Sequence, residues 1–307
     1  MTLGLLFPGQ GTQHPAMLPW LGPTGSQPAA LRQMASVLGD DWRQRLPDAA
    51  WSVDNRVAQT LLTGISLAAW QVLAPLLPAP AAVAGYSVGE LAAFSVAGVF
   101  SAEQAVALAD QRAAIMAACV VGHATGLLSL SGTPAGWAAS LCQRLGLALA
   151  IRLGEDRCII GGPTVALGIA EQAAAAAGVH SSRLAVALAS HTPWLAPGAP
   201  SLAEVLAAVP FARPNAVLVC NFSGTALRRE RDLRQALAGQ IARTVLWDSC
   251  MDTLAERGVR CVLEVGPGSS LSRLWQGRHP AIPARSADEF GSPQAVAAWV
   301  AAALAAG

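Results

Sequence analysis

Apolar residues along the chain fall into short unbroken runs and into longer stretches with a helical period. Leu3–Phe7 is an unbroken run ending in Pro8-Gly9-Gln10-Gly11, which predicts a strand and a turn. Residues 28–46 and 55–74 read as helices, Ala81–Tyr86 as a short apolar strand and Gly89–Ala97 as a helix. Ala102–Ala118 is a further helix, with Glu103 near its start and Arg112 in its later half.

The rhythm then changes. Gly126–Ser131 alternates like a strand, and Pro134–Leu145 is helical. Leu147–Leu153 and Arg157–Ile160 flank a Gly154-Glu155-Asp156 turn; Thr164–Ala177 is helical and Val179–Val186 extended. This β-α-β-β-α-β order is ferredoxin-like. Beyond it come a strand at Ala216–Asn221, helices at Arg231–Gln240 and Leu246–Arg257, and a strand at Cys261–Val265 before Gly266-Pro267-Gly268. The expected fold is α/β, with a parallel-sheet core from residues 1–124 and 189–307 interrupted by a ferredoxin-like subdomain at 125–188.

Composition narrows the function. The 307 residues carry 13% charge and a formal net charge of +1, too balanced for a nucleic-acid binder. There are 20 arginines and no lysine, which removes Schiff-base chemistry, pyridoxal phosphate and a Walker-type loop. An anion held by charge must therefore meet arginine or histidine. The six cysteines form no CxxC pair and lack metal-ligand spacing, so they read as buried thiols of a cytoplasmic protein, and no metal is expected. Residues 57–89 carry no charge, yet Gln59, Gln71, Pro75, Pro78 and Pro80 interrupt them; a core helix followed by a buried strand is expected, not a membrane span. The N-terminal run lacks the basic region of a signal peptide.

Gly85-Tyr86-Ser87-Val88-Gly89 places a serine between an apolar strand and a helix. On such a tight turn the hydroxyl projects above the sheet, and the N–H of Val88 points to where an oxyanion would form. The helix N-terminus adds partial positive charge. A serine nucleophile needs a base. Of His14, His123, His180, His191 and His279, His191 is favoured by its place after the apolar run Leu184–Ser190, at a strand-to-loop junction.

Taken with Phe7-Pro8-Gly9-Gln10-Gly11-Thr12-Gln13, the glutamate that extends the serine motif (Glu90), Arg112, Ser190-His191 and Glu264-Val265-Gly266-Pro267-Gly268, the chain resembles the malonyl-CoA:acyl-carrier-protein transacylases from residue 3 to about 275. The resemblance implies a hydrolase-like α/β core with an inserted ferredoxin-like subdomain. It implies Ser87 as the nucleophile and His191 as its base, with Gln10 and the Val88 amide as oxyanion donors. It makes Arg112 the grip on the free malonate carboxylate, Gln59 a wall of the acyl site, and Gln240 the residue whose main-chain carbonyl orients the histidine. The substrate would be a CoA thioester and the acceptor the prosthetic thiol of an acyl-carrier protein, with no bound cofactor. A planar guanidinium suits the task because it can hold a carboxylate bidentately, and an acetyl group would leave it unpaired.

One residue departs from the common pattern. Most transacylases have histidine before the nucleophile, whereas this chain has its only tyrosine, Tyr86. Gly85–Phe94, Ser95–Phe100 and Ser190–Leu195 look most like the epsilon subunit of malonate decarboxylase, which loads malonyl onto a small carrier subunit. That is the expected role, ahead of the transacylase of fatty-acid or polyketide synthesis and of a serine thioesterase or other hydrolase. A hydrolase would place an acid between serine and histidine in chain order, and none is evident at a strand end.

Overall fold

The structure, a computed structural model, describes residues 2–22 and 28–306; Met1, residues 23–27 and Gly307 lie outside it. Eleven strands are present among the described residues: β1 Leu3–Phe7, β2 Ala82–Gly85, β3 Thr125–Ser131, β4 Ala148–Arg152, β5 Arg157–Pro163, β6 His180–Arg183, β7 Val217–Cys220, β8 Thr225–Leu227, β9 Val245–Leu246, β10 Cys261–Glu264 and β11 Ala284–Ser286. They form two sheets in a mixed α/β fold.

The larger sheet runs β11-β10-β1-β2-β7-β8. Its first five strands are parallel, and β8 returns antiparallel on β7 at the edge. Every residue of β1, β2 and β10 is buried. Unbroken apolar runs are what a parallel sheet covered on both faces requires. The C-terminal ends of β1, β2, β7 and β10 emerge side by side, and the chain extends from β1 to both sides. Such a crevice is where open α/β sheets place their ligands.

The smaller sheet runs β6-β3-β5-β4-β9. Strands β3 to β6 pair antiparallel, in the order fourth, first, third, second, with helices Trp137–Leu145 and Thr164–Ala176 in the crossovers. Its fifth strand, β9, pairs parallel with β4 and comes from residues 245–246, outside the 125–188 segment. The two sheets are thus stitched together by a strand whose second residue, Leu246, the sequence places at the start of a helix.

Other differences have local causes. The helix expected over 28–46 is broken after Leu38 by Gly39, whose φ of +95° suits glycine, and a short turn of helix resumes at Trp42–Arg45. The strand expected to reach Val186 stops at Arg183, so Leu184–Ser190 is irregular and His191 does not sit directly at a strand end. Helix Gly198–Ala207 opens on Gly-Ala-Pro, which reads as a loop in sequence; β8, β9 and β11, at two or three residues, are too short to show a period. Helix Asn55–Leu73 belongs to a segment long and apolar enough to cross a membrane, but it is largely buried in the protein core, packed against the helices Ala29–Leu38 and Ala102–Ala118.

Candidate active site

Ser87 lies between β2 and the helix Gly89–Val96, one residue before its N-cap, Val88. The turn is tight enough that a Cβ on Gly85 would strike the Gly89 carbonyl, and one on Gly89 would strike the backbone of Phe7 in β1. Glycine is required at both positions by close approach. Ser87 itself has φ +55°, a left-handed conformation that costs a non-glycine residue about 1–3 kcal/mol. Two side chains hold it there. Asn221, just after β7, accepts from Ser87 N–H at 2.9 Å and donates to Gly85 O at 2.6 Å. Gln240 donates through Nε2 to Ser87 O at 2.7 Å.

His191 is the second non-glycine residue of the site with positive φ, +63°. Its backbone N–H donates to Ile241 O at 2.7 Å, and its ring Nδ1 lies 2.7 Å from Gln240 O. A carbonyl can only accept, so the proton sits on Nδ1, and the Nε2 lone pair faces Ser87 Oγ at 2.7 Å. The ring is thereby in the tautomer that can accept a proton from the serine. Burial, then the nearby Arg112 charge, pushes the His191 pKa down to about 3, against the Gln240 carbonyl that raises it. The other histidines lie elsewhere: His14 pairs with Asp288, His279 with Asp252, His180 is exposed on β6, and the His123 ring lies tilted against Trp194, 6.1 Å between centres.

The loop after β2 leaves Val88 N–H at a helix start, where a donor has no partner within the helix. Gln10 lies in the loop after β1 and its amide donates to Asn55 Oδ1 at 3.3 Å. Asn55 also accepts from Gln59 Nε2 at 2.8 Å and donates to Ala113 O at 3.1 Å, fastening the Gln10 loop to two helices. Gln10, Ser87, His191 and Tyr86 line a cavity of about 330 Å³, walled on the other side by Leu127 and Ile159 of the small sheet. The site therefore opens between the two sheets, at the junction where the chain leaves the core for β3 and returns at His191. Thr125, the first residue of β3, accepts from Ala189 N–H and pins that return.

Arg112 stands on the helix Ala102–Ala118, whose start is fixed by a Ser101–Gln104 capping box. It is only 1% exposed. Its guanidinium donates to Gln59 Oε1 at 2.5 Å and to Gln240 Oε1 at 2.7 Å, while Nε–H has no acceptor. Sequence reasoning left this arginine unpaired when no carboxylate is present; the structure instead gives it two amide oxygens. Both are neutral, so no anion touches the charge. Burial lowers the Arg112 pKa, and the Glu90 carboxylate raises it in turn. Gln59 and Arg112 lie behind the cavity, joined to its wall through Gln240.

Thus Ser87, His191, Gln240, Arg112 and Gln59 form one hydrogen-bonded chain, with Gln10 on the cavity wall and Val88 next to Ser87. Sequence reasoning missed Asn55, Asn221 and the side-chain role of Gln240, and gave Glu90 no task. Glu90 was marked by its place in the serine motif and by being a charge in the first turn of an otherwise apolar helix. Tyr86 packs edge-on to Trp247, with ring centres 5.2 Å apart, and burial pushes its phenol well above its usual range.

Residues 5–283 match the acyl transferase domain family. The malonyl CoA-acyl carrier protein transacylase of Mycobacterium tuberculosis is 35% identical over 294 residues, which covers 92% of this chain and 95% of that protein. A malonyl-transacylase solved in complex with its type II PKS acyl-carrier protein superposes with a TM-score of 0.90 at 26% identity, over 97% of this chain and 99% of that one. The transacylase of Coxiella burnetii shares the fold at a TM-score of 0.90 and 24% identity, over 98% of this chain and 97% of that one.

Proposed function

The chain belongs to the acyl transferase domain family, and from that premise we propose that it moves malonyl from malonyl-CoA to the thiol of an acyl-carrier protein through a malonyl-serine ester. The observation that carries the reading is Arg112: a buried guanidinium, bound only by neutral acceptors, linked through one glutamine to the Ser87–His191 pair. Malonyl differs from acetyl by one carboxylate. That group replaces an amide oxygen with a charged acceptor, and charge-assisted hydrogen bonds are about twice as strong as neutral ones. The names of the relatives agree with this choice of substrate and acceptor.

The steps follow from the geometry. With the carboxylate on Arg112, His191 Nε2 takes the Ser87 proton as Oγ attacks the thioester carbon. The tetrahedral oxyanion is held by the N–H groups of Val88 and Gln10. His191 returns its proton to the departing CoA sulfur, leaving the ester. The carrier thiol enters the same cavity, gives its proton to His191 and attacks the ester, and Ser87 recovers its proton. The Gln240 carbonyl stabilises the imidazolium formed in each half, the task an aspartate performs in a triad. No acidic third member is needed.

Mixing with malonyl-CoA, without carrier, should add about 86 Da to Ser87, as expected for a malonyl ester. Absence of the adduct, or its persistence in Ser87→Ala, refutes the reading. Steady release of malonate without an acceptor would identify a hydrolase instead.

The finer assignment, loading the carrier subunit of malonate decarboxylase, rests on Tyr86 and its flanking sequence. Tyr86 has a sufficient packing role against Trp247, and the curated relatives named above are transacylases acting on acyl-carrier protein, so the general acceptor is preferred. Offering carriers bearing the dephospho-CoA-type and the phosphopantetheine-type thiol side by side decides between them. Faster transfer to the former restores the decarboxylase role.

A further inference from the structure

Glu90 is completely buried, yet its carboxylate contacts no cation directly. Oε1 accepts the backbone N–H of Asn221 at 2.7 Å, and Oε2 accepts Gln240 Nε2 at 2.7 Å. Asn221 is the residue that holds Ser87 N–H and Gly85 O; Gln240 is the one that holds Ser87 O, Arg112 and, by its carbonyl, His191. A single carboxylate thus anchors both residues that clamp the strained serine.

The chemistry fixes which way the Gln240 amide points. A backbone carbonyl can only accept, so the atom facing Ser87 O, which also reaches Glu90 Oε2, must be the NH2. The amide oxygen is then left for Arg112, which can only donate. A flipped amide would set oxygen against two oxygens and NH2 against a guanidinium. We propose that Glu90 is a positioning residue for acyl transfer: it locks the Gln240 amide so that one side chain registers the arginine, the serine and the histidine together. The proposal rests on the reading of Ser87 and His191 as nucleophile and base, and it explains an ionisable group buried beside them with no contact to substrate.

The test is Glu90→Gln, which keeps shape but replaces one acceptor oxygen with a donor. Whichever way the new amide turns, its NH2 meets the Asn221 N–H or the Gln240 NH2. Ser87 is followed with phenylmethanesulfonyl fluoride, which needs the serine and histidine but no carboxylate site, and with malonyl-CoA in single turnover. The expected result is full stoichiometry of labelled Ser87 with both reagents, a rate constant at least tenfold lower for each, and a melting temperature within a few degrees of the parent. A merely structural role lowers the fraction of competent sites and leaves the rate constant of the remainder unchanged; that outcome overturns the proposal, as does an unaltered rate. Gln240→Met, which retains the main-chain carbonyl, gives the second readout. If Glu90→Gln does not fold, a tenfold slowing in Gln240→Met sustains the proposal and a parental rate overturns it. Failure of malonyl-CoA to acylate the parent protein, with the sulfonyl fluoride results intact, sinks the substrate reading and leaves the positioning role standing.

Discussion

Replacing Arg112 with alanine separates substrate recognition from the chemistry of acyl transfer. The guanidinium is buried, and a malonyl carboxylate placed against it would be buried as well. Removing one partner of a buried ion pair costs about 3–5 kcal/mol, because the other charge stays desolvated. At about 1.4 kcal/mol per tenfold change in rate, kcat/KM for malonyl-CoA should fall by roughly two to three and a half orders of magnitude. Acetyl-CoA brings no carboxylate, so its reaction should stay within about tenfold of the parent or rise. A second effect fixes the pH dependence. The Arg112 charge is one of the two causes that lower the His191 pKa; without it the base rises from about 3 towards its ordinary value. The acid limb of the acetyl reaction must then move to higher pH in the variant. Quench-flow acylation with both CoA esters from pH 4 to 9, normalised to Ser87 titrated by a sulfonyl fluoride, reads both quantities. Equal losses for the two esters would make Arg112 structural, and an unmoved acid limb would refute the electrostatic link to His191.

Two further outcomes test the surrounding frame. Glu264, at the end of β10, is fully buried with Oε2 on Ser272 N–H and Oε1 without a partner; burial pushes its pKa from 4.5 up to about 7. The folded state therefore binds this proton more tightly than the unfolded state, and stability is lost as pH rises from about 4.5 through 7, at up to about 1.4 kcal/mol per unit. Glu264→Gln should abolish that slope, so that urea unfolding shows the variant gaining roughly 3 kcal/mol on the parent between those limits; parallel pH curves would contradict it. Asp288 accepts from Leu18 N–H at 2.5 Å, Gly268 N–H at 2.7 Å and His14 Nε2 at 2.7 Å, tying the Gln10 loop to the Gly266-Pro267-Gly268 turn. Asp288→Ala strands two backbone donors, at about 1–3 kcal/mol each. It should slow Ser87 acylation by both acetyl and malonyl esters alike; selective loss of one ester would show that the loop serves recognition rather than the oxyanion.

The parts of the site that could be read from sequence are those whose backbone is singular. Gly85 and Gly89 must be glycine because other backbone fills the space of a Cβ, and Ser87 between them is marked by that constraint. The parallel strands β1, β2, β7 and β10 and the β-α-β-β-α-β insert show themselves through apolar runs and alternation. Strand β9 does not, because two residues carry no period, although those two residues extend the small sheet from the core side. His191 was found on an argument about a strand end that the structure does not share: Leu184–Ser190 is irregular, and the ring is held by Gln240 and Ile241 from another segment.

Gln240 shows why the rest was hidden. Its main-chain carbonyl orients the histidine whatever side chain the position bears, so that role alone does not require glutamine. Glutamine is required by three other groups: a carbonyl that only accepts, the carboxyl group of Glu90 that accepts from the same NH2, and a guanidinium that only donates. Two of these come from one turn, at positions 87 and 90, and the third from position 112 on another helix. A primary amide is the smallest side chain that satisfies both kinds of demand from one planar group. The same logic assigns Asn221 its amide, between Ser87 N–H and Gly85 O. Such residues are chosen by the pattern of donors and acceptors that folding assembles around them, and that pattern does not exist along the chain. The charge of Arg112 stays unmet inside this neutral network, because its two contacts are amide oxygens and the nearest carboxylate, Glu90, is already engaged by Asn221 and Gln240. An anionic acyl group is what the network lacks. On the proposed function the malonyl carboxylate is therefore part of the completed site, and its arrival on Arg112 offsets the charge that helps to keep His191 from accepting the serine proton.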